Sequence, residues 1–198
     1  AASPHRAQRI LQRLSTLLRE KKAAQEKVSL DELLDIQQDV VSVEAKRLVP
    51  VFRFYCPKET SGFSDRLLQD FCAYVGAFDG TYSKKSYGAL PFTWLLQELQ
   101  QEIISTHLGG DLAHQLRRDP ATLMAIENAI LSEFTGTPSI LLDDTRTPER
   151  EGLAGFIFRA TRSTLERLIN EVGDEPSDWR WGKHHKLVFR NPMHEFPL

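Results

Sequence analysis

The sequence is poor in most of the features that announce a function. It holds only two cysteines among 198 residues, Cys56 and Cys72, too few for a disulfide framework. Cys72 falls on an apolar helical face and reads as a small core residue, whereas Cys56 precedes Pro57 in a turn. A bridge between them requires maturation in an oxidising compartment. No apolar run is long enough to span a bilayer, so no membrane contact is expected, and no signal-peptide pattern opens the chain. Charge of one sign is also missing. The formal net charge is -2 with acids and bases interleaved, and the absence of a basic stripe argues against nucleic acid as a partner.

Motifs that carry chemistry are equally scarce. There is no Gly-x-Ser-x-Gly elbow, no glycine-rich phosphate loop, and no activating partner placed near either cysteine. Six histidines are present, but His184 and His185 are adjacent and their side chains diverge. Without a His-Glu-x-x-His or paired Cys-x-x-Cys spacing, no metal site and no cofactor is expected. Asp143-Asp144 lacks the glycine and closing glutamate of a calcium loop and reads as a solvated acidic turn.

What is present is helical periodicity over a composition of 41% hydrophobic and 26% charged residues, enough for a sizeable core. Ala7, Ile10, Leu11, Leu14, Leu17 and Leu18 form one apolar stripe, followed by Lys21 and Lys22 at the negative helix end. Ser29 with Glu32 forms a capping-box pattern, and the helix it opens is predicted to run past Val40, Val43 and Leu48 to a stop near Pro50. Residues 51–63 read as a connection. Ser64 and Ser86 are predicted to cap the next two helices, with Asp79-Gly80 as a turn between them. A short helix follows near residues 112–116, and Asp119-Pro120 opens another that Gly136 ends. A loop over 137–148 leads to a last long helix that stops at Gly173. Beyond it, Trp179, Trp181 and the run Leu187, Val188 and Phe189 suggest an extended or strand-like segment. The predicted fold class is therefore mainly α. It comprises a multi-helix domain over 1–175 and a short non-helical C-terminal extension over 176–198.

Several segments, in order, resemble the penicillin amidase family of N-terminal nucleophile hydrolases. Arg6-Ala7-Gln8-Arg9-Ile10 is similar to the opening of that family's helical region, and residues 30–50 resemble its helix with Gln, Asp and Ser closing at Pro. Ala77-Phe78-Asp79-Gly80-Thr81-Tyr82 resembles a Trp-Asp-Gly turn with Phe78 in the Trp place, and Ser86-Tyr87-Gly88-Ala89 the small-residue helix start after it. Trp179-Arg180-Trp181-Gly182-Lys183-His184-His185, with Phe189-Arg190-Asn191-Pro192, is similar to a Trp-x-Trp-Gly…His…Phe-x-His-Pro signature. Asn191 replaces the usual His there.

The resemblance implies amide hydrolysis of acylated amines, such as β-lactams or acyl-homoserine lactones, by a serine at the N-terminus of a processed chain. The free α-amine acts as base, and backbone N–H groups with an asparagine amide hold the oxyanion. That equipment has no counterpart here. Residue one is Ala1, which suggests a processed or excised piece, and Ser3 lies in the wrong context. The chain alone is expected to be inactive, with no catalytic residue of its own and with the remaining segments of the same precursor, including the catalytic sheets, as its partner. Arg6 falls where a family arginine lies near the substrate and supports the oxyanion region. Asp79, Gly80, Trp179, Trp181, Gly182 and His184 are signature positions read as structural, and Arg180 is placed for cation–π contact with the tryptophans. The resemblance also implies a periplasmic or extracellular location, and the excised domain is expected to self-associate through exposed apolar surface. The rival reading is a stand-alone helical protein-interaction module without catalysis.

Overall fold

In the computed structural model, which describes residues 4–59, 62–108 and 110–186, every described element is helical and the extended structure is a single bridge. The helices are α1 (Pro4–Ala24), α2 (Leu30–Gln37), α3 (Val43–Tyr55), α4 (Asp65–Ala77), α5 (Ala89–His107), α6 (Gly110–Leu116), α7 (Pro120–Phe134), α8 (Gly152–Glu171) and α9 (Trp181–His184). The mainly α expectation holds.

Cap chemistry fixes several of these boundaries. The Ser29 hydroxyl accepts from Glu32 N while the Glu32 carboxylate accepts from Ser29 N, completing the capping box of α2. Ser64 Oγ accepts from Leu67 N to open α4, and the Asp119 carboxylate accepts from Thr122 N to open α7 with Pro120 in its first turn. Ser86 Oγ accepts from Ala89 N, although Gly88 is the residue at the cap of α5.

The predicted single helix from Ser29 to Pro50 is two helices. The Asp39 carboxylate accepts from Val41 N, which turns the chain, and Ser42 then caps α3 by accepting from Ala45 N. Pro50 does not stop α3. A proline inside a helix costs about 3 kcal/mol, but burial of Val49, Val51 and Phe52 on either side offsets it, and α3 continues to Tyr55. It ends at Cys56, where Pro57 disfavours helical geometry in the residue before it.

The core is organised by α5, whose Leu90, Phe92, Leu95, Leu99, Ile103 and Ile104 are all buried. It lies along α8, which contributes Leu153, Phe156, Ile157, Ala160, Leu165 and Leu168. Arg159 to Glu102 at 2.5 Å and Arg167 to Glu98 at 3.3 Å tie the two helices at their surface, and the Arg167 guanidinium lies 4.1 Å from the Trp94 ring centre. The paired α3 and α4 pack beside them, with α7 against α3, α5 and α8.

Helix α1 rides outside this core. None of its residues is buried, and the apolar stripe read from its sequence leaves Leu11 64% and Leu18 58% exposed. Polar contacts to α2, the 39–42 segment and α7 do much of the work of holding it.

Two further expectations change. Cys72 is not a lone core thiol: it is joined to Cys56, with the two Cα atoms 5.9 Å apart. The stretch after Gly173 is not strand-like where it is described. It forms a 3-10 turn over Pro176–Asp178 and the single helical turn α9. Leu187, Val188 and Phe189, with Arg190, Asn191 and Pro192, lie outside the described residues, as do Ala1 and Ser3.

Candidate functional site

Arg6 stands in the first turns of α1, facing the C-terminal end of α2. Its guanidinium donates to the backbone carbonyls of Asp39 at 2.5 Å and Gln37 at 2.7 Å, satisfying acceptors that the end of a helix leaves open. One and two turns on, Arg9 at 2.8 Å and Arg13 at 2.7 Å donate to the Asp39 carboxylate, which is only 2% exposed. Burial pushes the Asp39 carboxyl up, but Arg9, Val41 N–H and Arg13 outweigh it and hold the group below its ordinary value. Three arginines at helical spacing thus converge on one residue, and Asp39 is the hinge between α2 and α3.

The far side of that hinge carries the Asp-Gly turn. Ser42 N donates to Gly80 O at 2.8 Å, Tyr82 N donates to Val40 O at 3.0 Å, and Val41 bridges Thr81. Asp79 Oδ1 accepts from Thr81 N at 2.8 Å and closes the turn. Gly80 has φ +83°, and a Cβ there would come within 3.0 Å of Ser42 O, so glycine is required twice over. Phe78 is buried against Tyr82 and Phe92 with ring centres 5.3 Å away in both cases. The structure therefore brings Arg6 and the Asp79-Gly80 turn to one segment, residues 39–42, from opposite sides.

The tryptophan string lies elsewhere and closes the fold. Trp179 is fully buried, edge-on to Phe71 and Tyr74, and its Nε1 donates to Gly173 O at 3.2 Å. Trp181 N donates to Ser86 O and Gly182 N to Lys84 O, so the start of α9 docks on the 84–86 loop. A Cβ on Gly182 would meet Lys84 O at 2.8 Å, which explains glycine at that position. Trp181 stands edge-on to Tyr82 at 5.0 Å and stacks on His185 at 4.5 Å. His184 Nε2 lies 2.9 Å from Asp178 O, so its polar end is satisfied locally. Arg180 covers the Tyr87 ring at 5.0 Å rather than either tryptophan.

These contacts hold helices and loops together. Arg6 caps a helix, and Trp179, Trp181, Gly182 and the Asp79-Gly80 turn lock loops to helices.

The penicillin amidase family profile matches residues 1–198, the entire chain. This chain belongs to the penicillin amidase family. Its relatives include the acyl-homoserine lactone acylase QuiP of Pseudomonas putida, 26% identical over 184 residues, covering 82% of this chain and 21% of that enzyme. The acyl-homoserine lactone acylases QuiP of Pseudomonas fluorescens and Pseudomonas aeruginosa are 28% and 29% identical over 122 residues, covering 58% of this chain and 14% of each enzyme. The chain thus spans about a fifth or less of the length of these relatives. No solved structure matches it. The printed names of these relatives describe acyl-homoserine lactone acylases.

One cluster escaped sequence reasoning altogether. His5 of α1, Glu44 of α3 and Glu127 of α7 bring their ligand atoms within 4.8 Å of one another. They are separated by 39 and 83 positions, so no local spacing could have signalled them.

Proposed function

We propose that this chain is the helical portion of a penicillin-amidase-type acylase. It shapes and supports a site for acylated amines whose nucleophile, an N-terminal serine, lies in another segment of the same precursor. The observation that carries the reading is the profile match over the whole chain, joined to the relatives' names. Acyl-homoserine lactones are the substrate class that those names favour, with β-lactam amides as the other class of acylated amine.

Arg6 acts in this reading as a positioning residue. By capping α2 through Gln37 O and Asp39 O it fixes the first turn of α1 against the hinge that also carries the Asp79-Gly80 turn. A 1 Å displacement of supporting structure is enough to cost about a hundredfold in rate. Arg6→Ala in the acylase that contains this chain is therefore expected to lower kcat by roughly 10- to 100-fold, with Arg6→Lys recovering only part because lysine lacks the fork that reaches two carbonyls. Unchanged kinetics for Arg6→Ala would remove Arg6 from the site.

The exposed Leu11 and Leu18 of α1, with Leu30, Leu33 and Leu34 of α2, supply apolar surface on which the remaining segments of the precursor would pack. Without them the same surface favours self-association of the isolated chain. The Cys56–Cys72 bridge supports a periplasmic or extracellular location, because such bonds persist in oxidising compartments.

A further inference from the structure

We propose that His5, Glu44 and Glu127 bind one divalent transition-metal ion, with Zn2+ as the ion their donor set fits. The three side chains come from α1, α3 and α7, and their candidate ligand atoms lie within 4.8 Å of one another. One imidazole nitrogen with two carboxylate oxygens suits zinc, whereas calcium and magnesium favour oxygen donors alone. Zinc–ligand bonds of about 2.0–2.2 Å put such atoms roughly 3.3 Å apart. The cluster therefore needs only small side-chain adjustments to close on an ion.

Glu127 supplies the second, independent observation. Its side chain is only 3% exposed, and Oε1 has no hydrogen bond although the Arg47 guanidinium lies 2.8 Å away. That contact is an ion pair without hydrogen-bond alignment, so it balances charge but leaves the oxygen's directional demand unmet. The other oxygen, Oε2, lies 2.6 Å from His5 Nε2. Among the described residues no hydrogen bond reaches the Glu44 carboxylate, which shares the site with a second carboxylate; burial, then Glu127, pushes the Glu44 carboxyl above its ordinary value. Glu127 is buried and Glu44 half-buried, and a cation between them would offset the repulsion of two acids held close together.

Binding balances as proton exchange. His5 coordinates through Nε2 with its proton on Nδ1, and the proton shared between Nε2 and Glu127 Oε2 leaves to solvent as the ion enters. No oxidation or reduction is involved. A cavity of about 320 Å³ adjoins the cluster, lined also by Tyr82, Gln100, Arg118 and Met124, and leaves room for water at the remaining coordination position. The ion would clamp the start of α1, and with it the adjacent Arg6, to α3 and α7.

The test is equilibrium dialysis of the metal-stripped protein against Zn2+, followed by elemental analysis, with Co2+ absorption as the report on coordination. One tightly held equivalent is expected in the wild type and in the His184→Ala/His185→Ala variant. Glu44→Gln keeps the shape of the side chain and the His5–Glu127–Arg47 contacts, so it is expected to fold as judged by circular dichroism and to lose the equivalent. His5→Gln is expected to lose it as well. No zinc on the wild type would overturn the proposal. So would an equivalent that persists in both Glu44→Gln and His5→Gln, or one that disappears with His184 and His185, which would mark a surface histidine pair. A preference for Ca2+ over Zn2+ would overturn it too.

Discussion

Replacing Trp179 by alanine is expected to lower the unfolding free energy by about 3–5 kcal/mol, the range for removing a buried aromatic side chain. Three losses combine at this position. The indole is fully buried, so its whole apolar surface is recovered from water on folding. It fills the space beside Phe71 and Tyr74, at ring separations of 6.3 and 6.2 Å, which α4 cannot close by sliding because Ser64 and the Cys72 bridge hold that helix. Its Nε1 also satisfies the Gly173 carbonyl just past the end of α8. Denaturant unfolding should show a lower midpoint at unchanged slope. Trp181→Ala, at a partly buried site, should cost less. A loss below about 1 kcal/mol for Trp179→Ala, the size of a typical surface or boundary effect, would mean that the segment after Gly173 is not part of the core.

The second large effect belongs to the disulfide. Cys56 ends α3 and Cys72 lies within α4, with a sequence separation of 16. Closing a loop of that size restricts the unfolded chain enough to stabilise the fold by about 3 kcal/mol in the chain-entropy description. Reduction, or the double change Cys56→Ser/Cys72→Ser, is expected to lower stability by that order. The loss should appear in denaturant unfolding with and without reductant, and alkylation before reduction should find no free thiol. Equal stability under both conditions, or two alkylated cysteines in the native protein, would contradict the bridge. It would also withdraw the structural support for an oxidising compartment.

Much of the helical layout was legible in the sequence because its signals are local. Ser29 with Glu32, Ser64, and Asp119 with Pro120 place helix starts by side-chain reach over three residues, and each makes the bond expected of it. Where the reading failed, tertiary contacts overrode local preference. Pro50 ought to stop a helix, yet the burial of Val51 and Phe52 carries α3 past it. The break that does occur, at residues 38–42, depends on the Asp39 carboxylate and on Arg9 and Arg13 from another helix. The disulfide was not decided by sequence either, since pairing depends on how the end of α3 meets α4.

The same distinction governs the site. Arg6 and the Asp79-Gly80 turn were named from a family resemblance, and only the fold shows that both grip residues 39–42. Glycine at 182 could be named from the signature, but its reason, the approach to Lys84 O, is a contact between segments nearly a hundred positions apart. The His5–Glu44–Glu127 cluster left no trace in the sequence, because three helices contribute one ligand each.

The measurement that bears most directly on the central claim is hydrolysis of an acyl-homoserine lactone, followed by release of homoserine lactone. It should be run on this chain alone and on the longer acylase polypeptide that contains it. The expected result is turnover by the longer polypeptide and none above background by the chain alone, because the nucleophile and oxyanion donors must be held together for the reaction. Turnover by the chain alone, with kcat/KM comparable to the longer polypeptide, would contradict the assignment of this chain as a scaffold without its own nucleophile. Absence of turnover from both, on acyl-homoserine lactones and on β-lactam amides alike, would contradict the acylase reading itself.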